Sequence, residues 1–423
     1  MALLKSVNRT YWIAYSGGLD SHVLLVLCQQ LGMNCRAIHI NHHLSPFADE
    51  WALHCAKVCE QLNIPFISES IHMDKANGDS LEAVAREKRY ALLQSYLAPN
   101  DVLLTAHHQD DQAETLLLQL TRGAGLKGLA AMPLLKSFGK GYLGRPLLSF
   151  TRHELETYAL EKKLNWIKDH SNDDTQLTRN FIRLEMMPLL KKRWPGIVPV
   201  LSRTAKHVAE AQALLEEMAE TDWEKVKGLD PATLSCSKLL QLSASRQRLV
   251  LRYWIQKQGY ALPNTKKLET ICQTVLSAKL DRMPCVKWQN GEIRRYRDHL
   301  YLMHTLKQIN TSFEMEWNMQ DPLYFPGLGQ LKARLVYGQG YRMDIKAVSV
   351  RLRQGGECIE IPTRGRLSLK NIFQEYGIPP WMRDRIPLIY VKDKLIGIMG
   401  YFIHDDYRVN NHQEGRVINW VNV

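Results

Sequence analysis

The sequence lacks an apolar run long enough to cross a membrane. No such run in the 423 residues approaches the roughly 18 residues that a transmembrane helix needs. The start of the chain leads directly into a strand-like segment, so we expect no separate leader. We therefore predict a soluble, cytoplasmic protein without a membrane partner. Hydrophobic residues make up 45% of the chain and charged residues 23%, a balance that excludes disorder and fibrous repeats.

Cysteine is scarce and forms no C-x-x-C pair. The chain has eight cysteines in 423 residues. This spacing argues against a thiolate metal site, and eight are too few for a disulfide framework in so long a chain. We expect reduced and mostly buried thiols.

Acidic residues are outnumbered by basic ones, but not uniformly. The net charge is +12, and residues 1–150 contribute none of it, with 13 basic and 13 acidic residues. Residues 151–329 have an excess of six positive charges, and residues 330–423 have another six. A neutral catalytic module with basic additions would suit a polyanion, because Lys and Arg gain affinity by releasing its counterions. Solubility alone would explain the charge equally well.

The first two hundred residues alternate short β-rich runs with helical apolar spacing. This alternation predicts an α/β domain with βαβ crossovers and a mainly parallel sheet, in which ligands bind at the carboxyl ends of the strands. The predicted strands are 11–15, 36–40, 65–71, 101–106 and 142–147, and the predicted helices are 21–31, 48–62, 80–97, 110–122, 151–164 and 178–194.

The remainder of the chain predicts two further domains. Residues 198–306 show three helical stretches and a hairpin around Asn290-Gly291, and we interpret them as a mainly helical domain after a first domain of residues 1–197. Residues 307–340 show the weakest secondary-structure pattern of the chain, and we predict a linker there. Residues 341–423 combine short strands with a helical pattern at 367–376, which favours a small α+β domain.

The sharpest motif is S-G-G-L-D-S at residues 16–21, between an apolar strand and an apolar helix. Paired glycines let the backbone N–H groups approach a ligand, the serines add hydroxyl donors, and the following helix presents its positive end. The motif has no G-x-x-x-x-G-K pattern, so it lacks the lysine of a Walker A loop, and it suits pyrophosphate. Asp20 does not belong beside phosphates unless a divalent cation such as Mg²⁺ lies between them. An ordinary Gly-rich turn is the disfavoured alternative.

Polar clusters follow two more predicted strands. In H-H-Q-D-D-Q-A-E, residues 107–114, Asp111 and Glu114 share a helical face and could hold an ammonium group or Mg²⁺. Acidic residues at a helix start are also favoured by the dipole alone, but the dipole does not explain the adjacent histidines. In H-I-N-H-H, residues 39–43, we favour nucleotide contact or local hydrogen bonding over a zinc site, because strand residues alternate faces.

Two further segments leave the functional and structural interpretations open. Glu82, Arg86 and Arg89 share one helical face, as they would on a solvated, salt-bridged surface. The segment D-H-S-N at residues 169–172 precedes Arg179 and Arg183, which lie one helical turn apart. A helix cap with surface arginines would look the same.

Taken together, the motifs resemble those of the tRNA(Ile)-lysidine synthetases, a family of PP-loop ATP pyrophosphatases with an adenine-nucleotide α-hydrolase-like fold. The resemblance is close over residues 10–195. The later half resembles the full-length bacterial form in layout and in segments such as N-G-E-I-R-R-Y and P-P-W-M-R-D. The matching N-terminal segments are SGGLDS, LEAVAREKRY, AHHQDDQAET, RGAGLKGLAAM, RPLL, DHSN and RNFIR.

The resemblance implies a ligase that uses ATP and L-lysine to convert the wobble cytidine of the CAU-anticodon isoleucine tRNA to lysidine. It implies that Asp20, Asp111, Glu114 and Arg179 are catalytic, that Asp111 and Glu114 bind lysine, and that Asp20 lies near Mg²⁺. A homodimer is kept as a possible assembly. The residues implied for ATP binding are Ser16, Gly17, Gly18, Leu19, Asp20, Ser21 and His39.

Basic residues stand beside aromatic ones in three clusters, at 191–194, 294–297 and 381–385. Aromatic and arginine side chains can stack on unpaired bases, so we expect the region after residue 150 to hold tRNA. The predicted tRNA contacts are Arg183, Arg294, Arg295 and Arg383. Two alternatives remain: a tRNA thiolase, disfavoured by the missing C-x-x-C, and a non-catalytic RNA-binding protein, disfavoured by the intact acidic motifs.

Overall fold

The computed structural model describes residues 9–43, 46–71, 81–167, 177–279, 282–325, 327–361 and 364–421. The chain divides into two compact units, Met1–Met218 and Ala219–Val423. The predicted domain boundary at residue 197 lies at the start of a long helix, Ile197–Val226, whereas the two units divide within that helix, after Met218. No helix within the described residues combines the length and apolarity that a membrane span requires.

The first unit is built on a six-stranded sheet with the order β3-β2-β1-β4-β6-β5. All neighbouring strands are parallel except β5 and β6, so the predicted parallel sheet is confirmed and the antiparallel edge strand β5 was missed. The chain order reverses between β1 and β4, which is where ligands bind in such sheets. The strands are β1 Tyr11–Ala14, β2 Cys35–Asn41, β3 Phe66–Ser70, β4 Val102–Leu104, β5 Leu135–Phe138 and β6 Gly141–Gly144.

Helices cover both faces of this sheet. Tyr11 and Ile13 of β1 pack on one face and Trp12 on the other, which explains why this strand is apolar throughout rather than alternating. The helices of the unit are α1 Leu19–Gln30, α2 Ala48–Gln61, α3 Leu81–Ser95, α4 Gln109–Thr121, α5 Leu126–Leu129, α6 Arg152–Glu161, α7 Thr178–Phe181, α8 Met187–Arg193 and α9 Ile197–Val226. A π-helical turn, Ile182–Met186, joins α7 to α8.

The second unit begins with the end of α9 and a helical region on a four-stranded antiparallel sheet, β7-β10-β9-β8. The predicted hairpin around Asn290-Gly291 is confirmed, since Trp288 pairs with Gly291. The elements are β7 Thr233–Ser235, α10 Cys236–Leu240, α11 Ala244–Lys257, α12 Thr265–Thr270 with a π-helical extension Ile271–Leu276, β8 Cys285–Trp288, β9 Gly291–Tyr296 and β10 His299–His304.

The linker predicted at 307–340 is wrong over most of its length. It contains the strands β11 Glu314–Trp317, β12 Leu323–Phe325 and β13 Gly329–Tyr337, which pair with strands near the C-terminus. The structured C-terminal part therefore begins before residue 341. The further elements are β14 Tyr341–Arg342, β15 Val348–Arg351, β16 Cys358–Ile361, β17 Gly365–Ser368, α13 Leu369–Glu375, α14 Pro380–Arg383, β18 Leu388–Val391, β19 Lys394–Ile398, β20 Phe402–Ile403 and β21 Glu414–Val421.

The C-terminal strands form a five-stranded sheet, β11-β15-β18-β19-β20, a four-stranded sheet, β12-β13-β21-β14, and the pair β16-β17. One apolar cluster joins both larger sheets to α13, for example through Val350, Leu331 and Phe373. The predicted α+β character is thus observed. The prediction for the thiols is also confirmed, because all eight cysteines are free and five are buried.

Candidate active site

The S-G-G-L-D-S segment forms a tight loop between β1 and α1. The hydroxyl of Ser21 donates to the Gly18 carbonyl at 3.0 Å and lies 3.0 Å from the Ser16 hydroxyl, while it accepts the Ser16 N–H at 3.2 Å. Ser21 therefore holds the loop closed from within. The side chain of Leu19 is buried in the core, so this residue can offer a ligand only its backbone.

Gly17 occupies a place where no side chain fits. Its φ is +81°, in the left-handed region that favours glycine. A Cβ at this position would lie 2.5 Å from Cδ1 of Ile167 and 2.9 Å from Sγ of Cys55. The Ile167 N–H donates to the Gly17 carbonyl at 3.0 Å, which fixes the loop from behind.

The N-terminus of α1 is open toward a ligand. Gly18 is its N-cap residue, and no side chain caps the helix there. The helix that follows β4, α4, is by contrast capped reciprocally by His108 and Asp111. The first N–H groups of α1 thus remain available for an anion, as the motif predicts.

Asp20 lies in the first turn of α1 with an unsatisfied carboxylate oxygen. Its Oδ1 is buried and has no hydrogen-bond partner among the described residues. Burial raises the pKa of Asp20, although interactions with His108 and Arg152 oppose this shift. The orphaned oxygen is the kind of group that a bound cation would satisfy.

His108 lies between Asp20 and Asp111, which belongs with Glu114 to the acidic cluster of α4. Its Nδ1 accepts the Asp111 N–H at 3.4 Å, so the ring carries its hydrogen on Nε2. That nitrogen lies 3.4 Å from Asp111 Oδ2 and 3.8 Å from Asp20 Oδ2. The sequence identified the two histidines as part of a cluster but gave no signal for this bridging position.

Asp111 and Glu114 share a face of α4, as predicted, and two arginines occupy that face. Arg179 donates to Asp111 at 2.9 Å and to Glu114 at 3.2 Å. Arg183 donates to the same two carboxylates at distances from 2.7 to 3.0 Å. Burial acts to raise the pKa of Asp111, but its interactions with the side chains of His108 and Arg179 outweigh burial and lower that pKa. The four residues thus form one charged network.

His39 is buried against the loop. Its ring Nδ1 lies 3.0 Å from the Tyr15 carbonyl, which can only accept, so Nδ1 carries the hydrogen. Burial lowers the pKa of His39, and the bond to Tyr15 only partly opposes this. The neutral ring therefore turns an acceptor nitrogen, Nε2, away from Tyr15.

These groups surround a cavity of about 490 Å³ at the carboxyl ends of β1, β2 and β4. The sequence reasoning did not single out Trp51 and Tyr90, which also line it, and a lone aromatic residue on a helix gives no signal of such a role. His42 is a further lining residue, and its Nδ1 is buried without a partner in the described part of the chain. The predicted site residues that line the cavity are Ser16, Gly18, Asp20, Ser21, His39 and Asp111.

Some predicted segments fall outside the described residues. D-H-S-N at 169–172 is among them, as is residue 80 at the start of the helical motif. The helix α3 carries Arg86 and Arg89 as predicted, and both guanidinium groups lie within 5.5 Å of the Tyr90 ring centroid.

The predicted RNA contacts of the second unit are all engaged within the chain. Arg294 pairs with the fully buried Glu292 at 2.7 Å and lies 5.3 Å from the Trp381 ring centroid. Arg295 is buried and donates to the Leu276 carbonyl. Arg383 is buried too and donates to the Ile378 carbonyl at 2.9 Å. The last two side chains thus support the fold from inside.

Comparison with known proteins bears on the whole chain. Residues 2–190 match the PP-loop domain family, residues 234–301 the TilS substrate binding domain, and residues 348–420 the TilS substrate C-terminal domain. A tRNA(Ile)-lysidine synthase of Coxiella burnetii is 45% identical over 96% of this chain and 92% of its own length. The chain belongs to the tRNA(Ile)-lysidine synthase family. The resemblance inferred from the N-terminal motifs is therefore confirmed, and it extends through the C-terminal half.

A second relative agrees with the family assignment. A tRNA(Ile)-lysidine synthase of Methylococcus capsulatus is 43% identical, covering 92% of this chain and 91% of the relative. The U34-tRNA thiolase NcsA from Methanococcus maripaludis, solved with its [4Fe-4S] cluster, is 19% identical. It covers 50% of this chain and 74% of its own, with a TM-score of 0.42. As a member of the tRNA(Ile)-lysidine synthase family, the chain is an ATP-dependent ligase whose first unit contains the PP-loop.

Proposed function

We propose that this enzyme uses ATP to join L-lysine to the wobble cytidine of the CAU-anticodon isoleucine tRNA, forming lysidine. The observation that carries the proposal is one cavity shared by two kinds of group. Its wall contains the uncapped N-terminus of α1 and Asp20, which belong to the phosphate loop at residues 16–21. The same wall contains Asp111 of the charged network. An activation site and an amine site are thus adjacent, as a two-step ligation requires.

The first step activates a poor leaving group. The 2-oxo oxygen of the cytosine attacks the α-phosphorus of ATP, the bond from that phosphorus to pyrophosphate breaks, and the base becomes adenylated. The uncapped N–H groups of α1 stabilise the negative charge of the departing pyrophosphate. His39 presents its Nε2 as an acceptor for a donor group of the nucleotide.

The residues present fit a Mg²⁺ ion held mainly by phosphate oxygens. Within the described ranges, no group of three or more His, Cys, Asp or Glu side chains could hold a metal unaided. One unsatisfied carboxylate oxygen, Asp20 Oδ1, suits Mg²⁺, which usually takes one or two carboxylates together with phosphates and water. Such an ion would neutralise charge on the phosphates, and Asp20 would orient it.

In the second step the lysine amine attacks C2 of the adenylated base. The bond between C2 and oxygen breaks, AMP leaves with that oxygen, and the nitrogen loses a proton. We assign lysine recognition to Asp111 and Glu114, because carboxylates match ammonium groups. Glu114 Oε1 accepts one hydrogen bond, from Arg183, and a carboxylate oxygen can accept another. The two arginines, Arg179 and Arg183, would hold both carboxylates oriented toward the reacting groups.

We assign tRNA binding to the basic regions after residue 150. Arg183 and Arg294 keep 25% and 21% of their side chains exposed, enough for a contact with RNA. Arg295 and Arg383, which are buried, would support this surface rather than meet the phosphates directly. The phosphate contacts would position the tRNA, while the cavity of the first unit receives the base.

Mass spectrometry of the tRNA tests the proposal. The CAU-anticodon isoleucine tRNA, incubated with enzyme, ATP and lysine, should gain the mass of one lysine less one water at the wobble cytidine. Reactions without ATP or without lysine are the controls and should leave the mass unchanged. Unmodified tRNA from the complete reaction would refute the function. The cytoplasmic location and the homodimer stay predictions, and sedimentation of the pure protein would test the latter.

A further inference from the structure

Three helices of the first unit begin beside the phosphate loop. They are α1, α4 and α6, and two hydrogen bonds connect the starts of α4 and α6. The Gln109 N–H donates to the Phe150 carbonyl at 2.8 Å, and the Arg152 N–H donates to Asp110 Oδ2 at 2.9 Å. Helix α6 also packs along α1, with the Tyr158 hydroxyl donating to Gln30 at 2.9 Å. The start of α6 is thereby fixed near the start of α1.

Three basic side chains act on Asp20, and two of them are engaged elsewhere. Interactions with His108, Arg152 and Arg183 each oppose the rise in the pKa of Asp20 that burial causes. His108 is 3.4 Å from Asp111, and Arg183 is bound to the carboxylates of the charged network. Arg152 is exposed, and its guanidinium makes no hydrogen bond or ion pair with any residue that the structure describes.

The phosphate loop itself supplies no positive side chain. The segment at residues 16–21 contains only Ser, Gly, Leu and Asp, so it has no counterpart of the lysine that P-loop enzymes place on the β- and γ-phosphates. Pyrophosphate nevertheless carries several negative charges, and Asp20 adds one more. A nearby arginine would offset them, since its planar fork binds phosphate oxygens through two parallel hydrogen bonds.

We propose that Arg152, at the first position of α6, binds the β- and γ-phosphates of ATP and the pyrophosphate that leaves. This assignment rests on the proposed function and adds a residue that the loop motif does not contain. Arg152 stands at the start of α6, which packs along α1, and its exposed side chain has no competing partner in the described ranges, so ligand binding requires no ion pair to break. Arg152 would then complete the cradle that the α1 N–H groups begin.

Calorimetric binding of inorganic pyrophosphate to the full-length enzyme, with Mg²⁺ present, tests the assignment. Arg152→Ala should weaken pyrophosphate binding about tenfold, which corresponds to about 1.4 kcal/mol. Arg152→Lys should recover part of the loss, because a point charge remains without the bidentate fork. AMP, which lacks these phosphates, should bind the wild type and Arg152→Ala equally. Lys162→Ala removes the same charge from the exposed other end of α6 and should change neither affinity.

The possible outcomes distinguish a failure of the Arg152 assignment from a failure of the proposed ligase function. If the wild type and Arg152→Ala bind pyrophosphate equally well, the assignment of Arg152 is overturned while the ligase function stands. If Lys162→Ala weakens binding as much as Arg152→Ala, a general charge effect replaces the specific contact, and the assignment is again overturned. If the wild type binds neither ATP nor pyrophosphate, both the assignment and the proposed function fail. Thermal melting of each variant verifies that it is folded.

Discussion

Arg183 grips Glu114 with two parallel hydrogen bonds, from Nε to Oε1 at 2.7 Å and from an Nη to Oε2 at 2.9 Å. Glu114 is only 3% exposed, so these two bonds compensate for the burial of its carboxylate. The pairing raises the pKa of Arg183 despite the opposing effect of its burial. A lysine substrate must therefore enter a network whose two negative and two positive charges already balance. It must share the carboxylates with the two arginines.

The first prediction concerns lysine recognition. Asp111→Asn and Glu114→Gln keep the shape of each side chain but remove the charge that attracts an ammonium group. We expect each to raise the KM for lysine at least tenfold and the KM for ATP far less, measured by steady-state lysidine formation. Equal effects on both substrates would assign the carboxylates to the metal or the nucleotide. Melting curves will show whether the freed arginines also destabilise the fold.

The second prediction concerns Asp20. Because its Oδ1 is buried with no partner in the described part of the chain, Asp20→Ala should abolish pyrophosphate release while the protein stays folded. A pyrophosphate-release assay with tRNA and ATP measures this. Glu156→Ala, on the exposed side of α6, is the matched control and should keep full activity. A folded Asp20→Ala enzyme with normal pyrophosphate release would refute the metal role.

The third prediction uses two glycines with similar backbones and different surroundings. Gly17 and Gly32 both have a positive φ, +81° and +62°, but only Gly17 is enclosed, by Ile167 and Cys55. Gly32→Ala should cost about 1 kcal/mol of unfolding free energy through backbone strain alone. Gly17→Ala should cost more and should also weaken ATP binding, because the loop must move to relieve the contact. Similar losses for both variants in urea titrations would show that the enclosure has no effect.

Much of the first unit was predictable because its strands and helices follow from local sequence patterns. Strand and helix periodicities recur within short windows, and the carboxyl ends of parallel strands meet at one edge, so SGGLDS and the acidic cluster had to lie close together. The pairing of Asp111 and Glu114 with Arg179 and Arg183 was not predictable. It joins helices 65 or more residues apart in sequence, and nothing within either segment specifies the partner.

The second unit was predicted less well, for two different reasons. Strands β11 to β13 are short and broken by turns, and their partners lie near the C-terminus, so no local alternation marks them. The burial of Arg295, by contrast, could have been predicted from the sequence. On β9 it shares a face with Ile293, which is fully buried, and residues two apart on a strand point the same way.

The fourth prediction concerns pH. Burial lowers the pKa of His107 from 6.5 to about 3, with Asp111 opposing and Arg145 reinforcing the shift. The unfolded chain therefore binds this proton first, and the free energy of unfolding should fall as the pH drops from about 6.5 toward about 3. In urea titrations across that range, His107→Gln should fall less steeply than the wild type. His153→Gln, on the exposed surface of α6, should follow the wild type, and identical slopes for all three would contradict the prediction.

The last prediction concerns how the C-terminal region holds tRNA. Tyr324 is 69% exposed and pairs across the sheet with Gln330 of β13. Lys332 and Arg334 follow on the same face, at two-residue intervals, and both are exposed. An aromatic side chain beside two positive charges that have no partner among the described residues suits an RNA backbone better than the arginines at 294–297, whose guanidinium groups are engaged within the chain.

Replacing both Lys332 and Arg334 with Ala should therefore weaken tRNA binding and lower its salt dependence. Each lost phosphate contact reduces the slope of log K against log salt concentration by about 1, so the double variant should lose about 2. ATP affinity should not change, because the phosphate loop lies in the other unit. Lys136→Ala with Lys140→Ala removes the same charge from exposed positions of the first unit and is the control. If filter-binding titrations at several salt concentrations give both double variants the same slope, the charges of β13 act only on solubility.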